Sequence, residues 1–164
     1  MTGSTDITPA LVDALYHESM ELAEEARAHF SDNGPRDLAE TVLSPAHQVE
    51  LSCESLKVTT RLMHAIAWLL NRKAFFSGEL TERQLRANGH LLGEVGESDP
   101  VIVARLDPQS RYLVSASQDL FARIARMEQR FRTQGQMTGQ AMGDSATTSP
   151  ALEIQQRLRA SLQG

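Results

Sequence analysis

Residues 44–78 read SPAHQVELSCESLKVTTRLMHAIAWLLNRKAFFSG, and no glycine or proline falls between Pro45 and Gly78. Ser44-Pro45 is a helix start: the hydroxyl accepts from backbone N–H groups that have no partner in the first turn, and the proline ring presets a helical φ. The spacing predicts one long helix to about Phe76, broken at Gly78. Along it Val49, Cys53, Leu56, Met63 and Leu70 form one apolar stripe, and Leu51, Val58, Leu62, Ile66 and Leu69 a second beside it. An apolar face that wide belongs to a central helix with neighbours on more than one side.

The same start signal recurs on either side. Thr8-Pro9 opens a helix whose Leu11, Leu15, Leu22 and Ala26 share a stripe, and the run from Ser31 to Pro35 stops it. Thr81-Glu82-Arg83-Gln84 is a capping box that starts a short helix, after which Gly89, Gly93, Gly96 and Pro100 read as a loop. Asp107-Pro108 opens a third long helix, with Leu113, Leu120, Ile124, Met127 and Phe131 three to four residues apart through much of its length. Gly135 to Ser149 is rich in Gly, Ser, Thr, Gln and Met and reads as a linker, and Ser149-Pro150 starts a tail helix with Ile154, Leu158 and Leu162 on one face. No segment alternates apolar and polar residues as a strand would. The expected fold is all-α: a three-helix bundle over 1–135 with a short extra helix in the second connection, a flexible linker over 136–149, and an amphipathic helical tail over 150–164.

A chain of 164 residues with 41% apolar and 23% charged residues can build one stable core. One cysteine excludes an internal disulfide and fits a reducing compartment. The N-terminus lacks the charged and apolar regions of a signal peptide, and Leu62–Leu70, interrupted by His64, is too short to span a bilayer. These features lead us to expect a cytoplasmic protein away from the membrane. The net charge of −5 is uneven: residues 1–54 hold eleven acids and two bases, and residues 55–135 hold twelve bases and eight acids. Such asymmetry marks either a partner surface or an acidic first helix lying beside more basic neighbours. The second reading is the simpler.

Residues able to carry chemistry are few. Cys53 lies on an apolar stripe, where a thiol usually fills core. The pairs Glu25/His29 and His47/Glu50 lie one turn apart, but a helical metal centre needs several such pairs converging, and no Glu-x-x-His element occurs. His64 sits inside an apolar run and reads as a core or interface residue rather than a phosphoacceptor. No glycine cluster has a nucleotide-binding context. We therefore expect no catalytic, metal or cofactor site. Residues 80–85 resemble the first half of a helix-turn-helix, and Arg123, Arg126 and Arg130 share a face, but glycines stand where a recognition helix should follow. Nucleic-acid binding is the weaker alternative, in the form of a DNA-associated regulator, and a continuous basic face would favour it.

Glu54-Ser55-Leu56-Lys57-Val58-Thr59-Thr60-Arg61-Leu62-Met63, then Ala67-Trp68-Leu69-Leu70 and Gly78-Glu79-Leu80-Thr81, resemble the signature helix of the alphaproteobacterial RcdA family, regulators of CtrA degradation. In layout the resemblance extends over residues 8–135. It implies a three-helix bundle that dimerises and acts without catalysis, as an adaptor that delivers cell-cycle regulators such as CtrA to the ClpXP protease. The partners it implies are the protease ATPase, a response-regulator-type protein and the cargo. Ser55, Thr59 and Arg61 are more polar than a plain core helix requires, so they are candidate partner-binding residues; back-bonding hydroxyls and an arginine at a bundle edge are the alternative. Trp68 reads as a core anchor. Ile154, Leu158 and Leu162 are candidates on the tail, which either engages a second partner or packs back as a fourth helix.

Overall fold

Each long helix starts where an oxygen-bearing side chain precedes a proline. In the computed structural model, which describes residues 7–32, 44–88 and 92–141, these are α1 (Pro9–Asp32), α2 (Pro45–Phe76) and α5 (Pro108–Ala141), with two short helices, α3 (Glu82–Asn88) and α4 (Pro100–Ala104), between the last two. The fold is all-α, and no strand occurs among the described residues. Thr8 Oγ1 accepts from Leu11 N at 3.2 Å, Ser44 Oγ from His47 N at 3.3 Å, and Asp107 Oδ1 from Ser110 N at 2.9 Å. The capping box closes both ways at α3: Gln84 N donates to Thr81 Oγ1 and Thr81 N to Gln84 Oε1. Gly78, at φ 81°, ends α2; its N–H bonds Phe75 O, and Glu79 N bonds Ala74 O, the paired bonds of a Schellman stop.

Two features differ from the sequence expectation. Pro100 is not in the loop but at the first turn of α4, because Asp99 Oδ1 accepts from Val101 N at 2.8 Å and makes the same acid–proline start as Asp107-Pro108. Second, α5 continues past Gly135 to Ala141, into the first residues of the expected linker. A glycine costs a helix about 1 kcal/mol relative to alanine but does not stop it where the neighbours are helix formers. The remainder of the linker and the tail, residues 142–164, lie outside the described residues. The chain divides into two compact units, Met1–Glu128 and Gln129–Gly164. Among its described residues, 129–141, the second is a helical stretch.

The core of the first unit draws on all three long helices. Val12, Leu15, Leu22 and Ala26 of α1, Val58, Leu62, Ala65, Trp68 and Leu69 of α2, and Leu113, Val114, Leu120, Ile124 and Met127 of α5 are buried together. Acids on α1 meet bases on its neighbours: Asp13 pairs with Lys73 of α2, and Glu18 holds Arg123 of α5 with two bonds, at 2.6 and 3.0 Å. Farther along, Glu50 of α2 pairs with Arg105 at 2.9 Å. Part of the charge asymmetry is thus spent between helices.

Candidate protein-interaction surface

The middle helix has two different apolar faces, and the structure separates them. Val58, Leu62 and Leu69 are at most 2% exposed. Val49, Leu56, Met63 and Leu70, by contrast, are 62, 67, 64 and 45% exposed, and Cys53 is exposed with them. The thiol therefore does not fill core as expected; it lies on the outward stripe. A row of large apolar side chains along a surface helix is what an unpartnered interface looks like.

Beside the buried stripe runs a polar row that fastens residues 92–99 to the bundle. Glu54, 1% exposed, accepts from Lys57 Nζ at 2.8 Å, and Lys57 also donates to Glu97 O at 2.9 Å. Arg61 donates through Nη2 to Gly96 O at 3.1 Å and Ser98 Oγ at 2.9 Å. Leu92 N donates to Glu128 Oε1 at 2.9 Å. Burial pulls the Arg61 guanidinium below its ordinary pKa, against the opposing pull of Glu54. Arg72, stacked 4.6 Å from the centroid of Trp68, is lowered to about 10 by burial, with Glu128 opposing. Both stay charged at neutral pH, so each is a buried charge that its partners must compensate. Gly93 completes the fastening: a Cβ there would overlap the His64 ring, so this glycine is a close-approach site and not the loop punctuation its sequence suggests.

The sequence-predicted candidates do not come together as one patch. The half-buried Ser55 donates to Ser52 O and the exposed Thr59 to Ser55 O, so both hydroxyls back-bond the helix. Arg61 is 3% exposed and lies under residues 96–98, not at a bundle edge. Trp68 is buried, as read. Ile154, Leu158 and Leu162 lie outside the described residues. What the sequence reading missed is that Val49, Cys53, Leu56, Met63 and Leu70 face out. Their spacing of three, four and seven residues was visible, but periodicity does not say which of two adjacent stripes a neighbour covers.

A cavity of about 240 Å³ opens between α1 and α2, lined by Ala23, Ala26 and Phe30 on one side and Thr59, Leu62, Met63 and Ile66 on the other. It adjoins the exposed stripe at Met63. Among the described residues no group of three His, Cys, Asp or Glu side chains could share a metal ion, and no helix is long and apolar enough to cross a membrane.

These features define an all-helical bundle with an uncovered apolar helix face, and comparison with known proteins gives the class. Residues 3–162 match the model of a family described as proteins of unknown function (DUF1465), and the chain belongs to that family. Among solved structures the chain is similar to RcdA from Caulobacter crescentus, with 28% identity and a TM-score of 0.56, covering 73% of this chain and 90% of that one. The family is RcdA-like, and the fold is that of an RcdA bundle. No protein of curated function matches the sequence.

Proposed function

We propose that this protein is a non-enzymatic adaptor that pairs with itself and presents regulatory proteins to a ClpXP-type protease. The observation that carries the reading is the outward stripe of α2 on a bundle of RcdA type: four large apolar side chains left uncovered after the core is complete. Such a surface serves binding, and a two-fold contact between copies is the commonest way to cover it. Of the three arginines that share a face on α5, Arg123 is held by Glu18 and is not free to meet a phosphate, which weakens the DNA-binding alternative.

In this reading the bundle is the platform, and residues 150–162 act as a tethered ligand for a second partner. Since α5 continues to Ala141, the tether in this reading is residues 142–149, and a flexible segment of about eight residues reaches roughly 15 Å, enough to hold two proteins at high effective concentration. The test is reconstitution. Added to ClpXP, a response-regulator-type partner and CtrA, the chain should shorten the CtrA half-life several-fold. Replacing Ile154, Leu158 and Leu162 with serine should abolish that gain while leaving thermal stability within a degree or two. An unchanged half-life with the intact chain would refute the adaptor role.

A further inference from the structure

Residues 92–99, between α3 and α4, have neither helix nor turn, and they carry three acids, Glu94, Glu97 and Asp99, and no base. The side chains beneath grip this strap mostly by its main chain. Lys57 donates to Glu97 O, Arg61 donates to Gly96 O, and Glu128 accepts from Leu92 N; Arg61 also reaches Ser98 Oγ. Main-chain atoms are the same in any peptide, so little of this grip is particular to the strap's own sequence. Its apolar hold on the core is the half-buried Leu92, while Glu94, Gly96 and Glu97 are exposed. A segment with so few apolar contacts belongs to the parts of a fold that open first.

The strap also fits its seat incompletely. Arg61 is 3% and Glu54 1% exposed, yet Arg61 Nη1 and Glu54 Oε2 have no hydrogen-bond partner among the described residues. Both acceptors that the strap gives Arg61, Gly96 O and Ser98 Oγ, fall on Nη2. A guanidinium is a fork that takes both oxygens of a carboxylate at once, and that is the stronger arrangement. The buried carboxylate oxygen of Glu54, for its part, needs an N–H. A peptide segment with an acidic side chain supplies both. A phosphate brings acceptors only, and Glu54 repels it.

We propose that residues 92–99 are a displaceable stand-in for an acidic segment of a partner protein, which Lys57 and Arg61 bind when the strap lifts. Lys57 takes a main-chain carbonyl of that segment, Arg61 its carboxylate, and Glu54 a main-chain N–H. The seat is separate from the outward stripe. At about 100° per residue, Lys57, Arg61 and His64 lie on one flank of that stripe, and Thr59, Ile66 and the cavity lie on the other. A segment bound here leaves the stripe free for another contact.

The probes are a labelled peptide of residues 92–99 and the same peptide carrying Ser98→Asp, which puts a carboxylate where the strap has a hydroxyl. Both are titrated against the full chain and against a Leu92→Ala chain, whose strap has lost its apolar hold. The Ser98→Asp peptide should bind the Leu92→Ala chain at least about 10-fold more tightly than the other peptide does, because charge-assisted bonds replace a neutral one. The unmodified chain should bind it more weakly, since its own strap competes at an effective concentration on the order of millimolar. Arg61→Lys keeps the charge and loses the fork, so it should abolish the difference between the peptides while helical circular dichroism is retained. Hydrogen exchange locates the event: saturating peptide should speed exchange at residues 92–97 of the unmodified chain, and Ser98→Asp in the full chain should slow it. No binding at millimolar peptide, equal binding of the two peptides, or a difference that survives Arg61→Lys would each overturn the proposal. So would binding that leaves strap exchange unchanged, or a Ser98→Asp chain whose strap exchanges faster. None of these readouts involves the protease, so the adaptor role stands or falls separately.

Discussion

Gly93 shows how one missing methyl group positions a segment. Residues 92–99 have no helix of their own, and they lie on α2 because Gly93 can approach the His64 ring with nothing between them. Gly93→Ala forces the backbone or the half-buried imidazole to move, and overpacking of this kind costs about 1–3 kcal/mol. Urea denaturation should show that loss, and His64→Ala in the same chain should recover most of it, giving a favourable coupling in the double-mutant cycle. Additive losses would mean that the two residues do not bear on each other. Neither the contact nor the burial of Arg61 could be read from the sequence. A glycine between two short helices has the same local signature whether it relieves a turn or admits a side chain. An arginine seven residues after a glutamate signals only that the two share a helix face; that the face is covered depends on residues 96–98, thirty-five positions away. The back-bonding of Ser55 and Thr59 was legible, because it needs nothing beyond the helix itself.

At the scale of the element, the helix starts carry most of what the sequence makes plain. Thr8-Pro9, Ser44-Pro45 and Asp107-Pro108 could each be placed by local chemistry, since the capping oxygen and the proline ring act within four residues. Asp99-Pro100 has the same grammar and was obscured by the glycines before it and the brevity of α4, five residues long. The cap of α5 also gives a pH dependence. Burial pushes the Asp107 carboxyl up, but hydrogen bonds from Ser110 and Gln109 and the neighbouring His29 together pull it further down, so its pKa is below the ordinary value. A native-state pKa below the unfolded one adds stability that is fully present above the ordinary carboxylate range and lost as pH falls through the lowered native value. Asp107→Ala should therefore cost about 0.5–2 kcal/mol at pH 7. That deficit should narrow at pH 3, where the unmodified protein has lost part of the same contribution. A deficit that does not change between the two pH values would show that the carboxylate charge contributes nothing.

At the scale of the molecule, folding offsets part of the uneven charge: Asp13 and Glu18 of α1 meet Lys73 and Arg123, on two different helices. Exposed pairs of this sort are worth about 0–1 kcal/mol each. They select which helices lie side by side more than they hold the bundle together.

The holding is done by one face of α2, and this can be separated experimentally from the face that remains uncovered. Leu69 is fully buried in the core, whereas Leu56 is 67% exposed on the same helix. The two residues are alike in the sequence, each on an apolar stripe, which is why periodicity recognised a two-sided helix without assigning the sides. Leu69→Ala removes buried methyl groups and leaves a cavity, which costs about 2–5 kcal/mol at any protein concentration. Leu56→Ala removes nothing from the core of a single chain, so below the self-association constant its effect should stay within about 0.5 kcal/mol. Above that constant the folded pair is favoured by mass action, and Leu56→Ala should then lower the denaturation midpoint in proportion to the association it loses. Chemical denaturation at two protein concentrations a hundred-fold apart distinguishes the cases. The Leu69→Ala deficit should be the same at both, and the Leu56→Ala deficit should appear only at the higher. If Leu56→Ala were as costly in dilute protein as Leu69→Ala, the outward stripe would be part of the single-chain core, and the reading of α2 as a helix with one face kept for a partner would fail.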